Sequence, residues 1–551
     1  MKTTTPFSSS SSSFISQLFL VFFIITSEIA NVGNAQNIGD INRSHFPDDF
    51  LFGVSTSAYQ IEGAILEDGK SPSDWDIFVH NTAGRKNTDT GDIANDHYHR
   101  YLEDISLIHS LGVDAYRFSI SWSRILPNGK YGGVNSAGIK FYNSIIDNLL
   151  SRGIKPFVTI HHGDLPIILQ NRYGGWLSPL IQEDFVHYAE TCFKYFGDRV
   201  KHWITINEPN LVTKMAFEKG LYPPGRCSTP FGNCPVGNSK IEPLIAMHNM
   251  LLSHAKASKL YHDKYQLEQG GIIGIVANIF MFEPFSESEE DVEAARLALV
   301  FNAAWTFDPV VFGDYPEEIR HHRKNELPRF TQEEKQILKD SADFIGLNHY
   351  GTFYAKACNS STNCDCTDSG CVWRDASLSG LLTITTEKDG VLIGDPTAMI
   401  GCYVVPRGIG ELVDSMKNRY HNKLIFITEN GYAQPQQPDQ TDEDLKNDVK
   451  RIEYHKAYIQ SLAGAMRNGA NVGGYFIWTL LDDFEWLMGY SLKFGLYSVD
   501  RTTLERRPRA SADWYRHFLT KKKQRATTTS SSFRGRSKLL LKPDFAQQNY
   551  E

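Results

Sequence analysis

Ile204-Thr205-Ile206-Asn207-Glu208-Pro209 decides how this chain is read. Its β-branched residues favour a strand. Pro209 has no N–H to give a sheet ladder, so the strand ends there and presents Glu208 at its tip. Ile425-Phe426-Ile427-Thr428-Glu429-Asn430-Gly431 follows the same grammar, an apolar run closed by Glu, Asn and a turn glycine. A lone strand-end carboxylate is ordinarily solvated or salt-bridged. Two of them are the parts that cleavage of a glycosidic bond requires.

Working outward, strand-like runs alternate with amphipathic helical ones along the chain. The runs fall at residues 50–60, 115–122, 156–162, 202–207, 274–279, 344–350, 424–429 and 474–481. Helical periodicity marks 96–111, 139–152, 181–196 and 444–468. This repeat predicts an α/β chain forming a single (β/α)8 TIM barrel with long βα loops. A doubly wound open sheet would place a Gly-rich turn after its first strand, and none follows here. Residues 351–405 read as an insertion after the sixth strand.

Composition narrows the function. A net charge of -8 excludes a dedicated nucleic-acid binder, which needs a basic face. Aromatic residues make up 12% of the chain, enough to supply flat surfaces on which sugar rings stack. Residues 1–35 read as a signal peptide: Lys2 and a serine run precede a short apolar stretch, and Gly33-Asn34-Ala35 offers a cleavage position. The expected destination is therefore outside the cell, at the cell wall, or the vacuole, with no membrane span in the mature form. Residues 36–519 form the hydrolase-like domain, and 520–551 a basic tail. That tail is a solvated appendage, or it docks by charge on acidic cell-wall polysaccharide.

Export permits disulfides. Cys227 and Cys234 close a short ring in a Pro/Gly-rich loop and are the preferred pair. Cys358, Cys364, Cys366 and Cys371 crowd one polar loop with their pairing open, while Cys192 on a helical face is expected to be a buried free thiol. Asn42 and Asn359 begin glycosylation sequons.

Reacting groups of a barrel gather where its strands end. Polar residues recur there: Gln60 and Glu62 after the first strand, and His161, His162 and Asp164 after the third. Asn207 and Glu208 follow the fourth, Asn348 and Tyr350 the sixth, and Glu429 the seventh. Trp478, Asp482, Asp483, Glu485 and Trp486 accompany the eighth. Adjacent strand residues face opposite sides, so only one of His161 and His162 enters the site. With no further converging ligands, neither a metal nor any other cofactor is expected. Which glutamate attacks and which donates a proton depends on surroundings that sequence does not give. Tyr350 and Arg117 are the residues that would favour an ionised nucleophile.

The strings SAYQIEGA, YRFSISWSRILP, TINEP, FIGLNHY, ITENG and WTLLDDFEWLMGY resemble those of glycoside hydrolase family 1, in its plant β-glucosidase branch. The resemblance covers residues 46–518. It implies retaining hydrolysis of O-linked β-D-glucosides through a covalent glucosyl-enzyme, with Glu208 as proton donor and base and Glu429 as nucleophile. It further implies that Gln60, His162, Asn207, Trp478, Glu485 and Trp486 hold the glucosyl unit. Asn348 and Tyr350 would support the nucleophile, and Phe494 would line the pocket mouth. A negative Glu485 would repel a 6-phosphate. The overall likeness is to members acting on phenolic, monolignol glucosides, with short oligosaccharides as the other substrate class.

Two positions depart from the family pattern. Gly163 stands where an aromatic is frequent, and no tryptophan occurs near Gly401 and Cys402. Two other functions are compatible with parts of the sequence. A transglucosidase would use the same two glutamates with an alcohol acceptor. A non-catalytic sugar-binding relative would lack one of them.

Overall fold

In the computed structural model, eight parallel strands close into a ring. The residues described are 41–81, 87–358, 378, 380–435 and 442–520, and the unit considered below begins at Arg43. In chain order the strands are β1 (Leu51–Ser55), β2 (Ala115–Ser119), β3 (Lys155–His161) and β4 (His202–Asn207), followed by β5 (Ile272–Asn278), β6 (Phe344–Asn348), β7 (Leu424–Asn430) and β8 (Val472–Trp478). Each pairs with its sequence neighbours, and β8 closes on β1 through Leu51–Gly474 to Ser55–Trp478. This is the (β/α)8 barrel.

The ring is filled by side chains. Each strand sends one residue into a shared cluster: Leu51, Ala115, Phe157, Ile204, Val276, Phe344, Phe426 and Phe476. Phe157 meets Phe344, Phe426 and Phe476 edge-on at centroid distances of 5.7, 5.1 and 5.0 Å. Burying a phenylalanine contributes roughly 2–3 kcal/mol, so each of the four in this layer adds to the closure of the barrel. Its bulk requires glycine opposite. A Cβ on Gly53 would lie 2.4 Å from the Phe476 ring.

Several elements end earlier than their sequence pattern indicates. The alternation carries the first strand to residue 60, but β1 stops at Ser55 and Gln60 lies on the short helix Ala58–Ile61, with Glu62 as its C-cap. The cause lies on the next strand: the Ala58 N–H is taken by the Ser119 hydroxyl of β2 at 2.7 Å, outside any ladder. Likewise β2 ends at Ser119, and Trp122 opens the helix Trp122–Ile125. β8 ends at Trp478, before Leu481.

The insertion after β6 supplies Thr352–Ala357 and Leu382–Thr385 to a small sheet whose third strand, Met281–Pro284, follows β5. Cys227 and Cys234 are disulfide-bonded. Cys192 is free and buried, as is Cys402. Cys358 is also disulfide-bonded, whereas Cys364, Cys366, Cys371 and the sequon residue Asn359 lie outside the described residues, with the leader and the basic tail. Asn42 is partly exposed. Among the described residues no helix is long and apolar enough to cross a membrane.

Candidate active site

Glu208 leaves β4 in a left-handed conformation, φ 50° and ψ 48°, which a residue with a Cβ adopts only at a cost of about 1–2 kcal/mol. Two contacts fix it. Its N–H donates to the Val276 carbonyl of β5 at 2.8 Å, and Pro209 opens the next helix, Pro209–Thr213. The proline that ends the strand thus also starts the helix, with a ring already set to a helical φ.

The Glu208 carboxyl is held on one side only. Asn348 and Asn278 donate amide N–H groups to its Oε1 at 2.8 and 3.0 Å. Oε2 has no hydrogen-bond partner among the described residues. Thr428 donates to Asn348 Oδ1 at 2.6 Å, which orients that amide with its NH2 toward Glu208. Asn278 is positioned by Asn210, whose side chain bonds both its backbone N–H and its C=O. Burial, and then the charge of Glu429, push the Glu208 pKa up to about 8.

Glu429, on β7, has both oxygens occupied by donors. Arg117 reaches Oε1 at 2.5 Å and Tyr350 reaches Oε2 at 2.7 Å. Arg117 is fully buried on β2, while Glu429 keeps 4% of its surface open. A guanidinium on one side and a phenol on the other suit an anionic carboxylate. The other guanidinium nitrogen donates to Asn207 Oδ1 at 2.6 Å, and Asn348 donates to that oxygen at 3.1 Å. Taken by two donors, Oδ1 turns the Asn207 NH2 toward His162 Nε2, 3.2 Å away, which accepts. Burial and then Arg117 hold the His162 pKa well below the usual imidazole range, so the ring is neutral.

His162 faces the site, its ring nearly parallel to Trp478 and Trp486 at 12° and 11°. His161 points away and packs against Trp122 and Trp176. Gln60 receives the Ser57 hydroxyl at 2.6 Å and donates to Glu485 Oε2 at 3.3 Å, and Trp478 Nε1 lies 3.5 Å from the same oxygen. Burial raises the Glu485 pKa to about 7, and burial beside Glu485 raises Asp483 well above its usual range. Both shifts disfavour two full charges side by side in this buried pair.

Other strand-end acids serve the fold. Glu62 is paired with Arg124 at 2.8 Å and receives the Tyr142 hydroxyl. Asp482 is gripped by Arg509 through both guanidinium ends, at 2.9 and 2.7 Å. Asp164 is buried, which pushes its pKa up to about 7. Phe494 is buried against Tyr350 and Trp478. Among the described residues no group of acids, histidines and cysteines is spaced to hold a metal ion.

Asn278 was not singled out by sequence, although it closes β5 as Asn207 and Asn348 close β4 and β6. Strand-end amides at corresponding positions are the signal that would find it.

Two neighbouring carboxyls, one shielded and hydrogen-bonded through a single oxygen, the other clamped by donors on both, match the requirements of sugar hydrolysis. The glycosyl hydrolase family 1 model fits residues 42–524. The chain belongs to glycosyl hydrolase family 1. This family 1 chain is 52% identical over 484 residues to a rice protein named probable inactive β-glucosidase 14, covering 88% of this chain and 92% of that one. It is 47% identical over 496 residues to the coniferin β-glucosidase of Pinus contorta, covering 89% and 95%. The crystal structure of a rice β-glucosidase superimposes with a TM-score of 0.83 at 44% identity, covering 87% of this hydrolase and 99% of that chain.

Proposed function

We propose that this family 1 hydrolase is a retaining β-glucosidase that cleaves O-linked β-D-glucosides of phenolic alcohols through a covalent glucosyl-enzyme. The observation that carries the reading is the contrast between its two acids. Glu429, held by Arg117 and Tyr350, attacks the anomeric carbon while Glu208, protonated on the unpartnered Oε2, gives its proton to the departing aglycone oxygen. The alcohol leaves and glucose is esterified to Glu429. Glu208, now a carboxylate, takes a proton from water as the water attacks the same carbon; Glu429 is released and glucose keeps its β configuration.

Kinship alone does not carry activity, since one relative is named as inactive. Both carboxylates and their donors are present here. The phenolic aglycone is supported by likeness to the coniferin enzyme and by apolar residues near Trp478: Ala398 and Met399 pack on the cluster that holds it, and Ile400, next in the chain, is 86% exposed. Exposed apolar surface suits a flat aglycone better than a second sugar. Export to the wall or the vacuole follows from the leader, and glycosylation from the sequons. N-terminal sequencing and glycosidase treatment of plant-expressed protein test both.

Turnover on coniferin and other phenolic glucosides, compared with cello-oligosaccharides, tests the substrate class. A kcat/KM at least tenfold higher on the phenolic set is expected. Preference for cello-oligosaccharides overturns the aglycone, and no turnover of either overturns the activity.

A further inference from the structure

Trp75 holds a donor with nothing in the protein to receive it. It lies on the helix Asp74–His80, is 1% exposed, and packs against Tyr222 and Trp486 at centroid distances of 5.0 and 4.8 Å. Its indole N–H has no hydrogen-bond partner among the described residues. Trp122 and Trp203 share that lack, but their nitrogens are sealed in the interior. Trp75 instead lines a pocket walled by His162, Asn207, Glu208 and Trp486.

Gly163 is what leaves this nitrogen uncovered. It follows His162 with φ +85°, and a Cβ built there would meet only Trp486 Cη2 at 3.8 Å and Trp75 Nε1 at 4.0 Å. Those are ordinary contact distances, so the next atoms of a longer side chain are within reach of the indole N–H. With glycine, the path from that N–H to the pocket stays open.

We propose that Trp75 is a specificity-determining residue of the sugar site, its Nε1–H donating to a hydroxyl oxygen on the edge of the glycosyl unit that faces Trp486, through the opening left by Gly163. The proposal rests on the reading of the pocket as a glucoside site. An indole N–H only donates, so it distinguishes a sugar carrying an oxygen there from one carrying hydrogen. A shielded donor left without a partner is costly, and a hydroxyl in that place removes the cost.

The test compares wild type, Trp75→Phe, Gly163→Phe and Gly163→Ala on 4-nitrophenyl β-D-glucoside and its monodeoxy analogues. In the wild type, loss of the contacted hydroxyl should lower kcat/KM about tenfold beyond its loss in Trp75→Phe. Gly163→Phe covers the N–H without altering Trp75, so it should abolish the same penalty. Gly163→Ala carries the same backbone strain but is too short to cover the nitrogen, and should retain it. If the deoxy penalties are unchanged in both Trp75→Phe and Gly163→Phe, with all substrates falling in parallel or not at all, Trp75 only packs and the proposal is wrong. Absence of wild-type turnover would instead overturn the glucosidase reading. The affinities of glucose and the monodeoxyglucoses, by calorimetry on the same variants, would then decide the donor by the same comparison.

Discussion

Asn348 and Glu208 meet at 2.8 Å, the amide N–H on carboxyl Oε1. Because Asn278 donates to the same oxygen, the proton of Glu208 is confined to Oε2. The acid that must protonate a leaving group is thereby aimed as well as shielded. With its pKa raised to about 8, it is the proton donor below that pH and loses the role above it. The kcat/KM profile should fall as pH rises through about 8. Asn278→Ala removes a bond that favours the ionised form, so the falling limb should move to higher pH. A limb that moves down, or stays, contradicts the assignment.

Stability should carry the same signature. Between the ordinary glutamate value of 4.5 and about 8, the native state holds a proton on Glu208 that the unfolded state has released. This contribution is full below the unfolded pKa and is lost as pH rises through the folded one. Glu208→Gln removes the loss. Its melting temperature should exceed wild type by a few degrees at pH 8.5 and match it near pH 4. Equal differences at both pH values would place Glu208 in a more solvated setting.

Neighbouring acids after β8 should separate cleanly. Asp482→Ala strands Arg509 in the interior and should cost about 3–5 kcal/mol of stability, measured by denaturant unfolding. Glu485→Gln, beside Gln60 and Trp478, should leave stability within about 1 kcal/mol and raise KM for glucosides at least tenfold. The reverse pattern would exchange their roles.

Arg117 works through a fork. One nitrogen holds Glu429 and the other Asn207, a geometry that an ammonium cannot copy. Arg117→Lys should therefore lower kcat at least a hundredfold despite keeping the charge, with circular dichroism unchanged. Near-normal kcat would show that charge alone suffices.

The barrel was legible because its signals are local. Pro209 ends a strand wherever it sits, and eight apolar runs with polar tips admit few closures. Gln60 was legible as a residue type but not as a position, since a hydroxyl sixty-one residues onward, Ser119, takes the Ala58 N–H and turns β1 into a helix. Partner choice was hidden for the same reason. Asp482 and Glu485 look alike in sequence, and only the fold brings Arg509 to one and Gln60 to the other. Which glutamate is the nucleophile was implied by resemblance, and its physical reason lay in Arg117 on β2 and Tyr350 just past β6 meeting Glu429. Trp75 gave no sign at all, because what matters about it is the side chain missing at Gly163.

Glu429→Gln should lower kcat at least a thousandfold. Azide should restore cleavage of an activated glucoside to Glu429→Gly, with the α-glucosyl azide as product. A product of β configuration would mean that the nucleophile lies elsewhere.

The covalent step can be read directly. Incubation with an activated 2-deoxy-2-fluoro-β-glucoside, followed by proteolysis and mass spectrometry, should show one fluorodeoxyglucosyl group attached to the peptide Ile425-Phe426-Ile427-Thr428-Glu429-Asn430, with Glu429 as its site. An enzyme that turns over glucosides yet carries no adduct, or carries it on Glu208, would contradict the double displacement on Glu429.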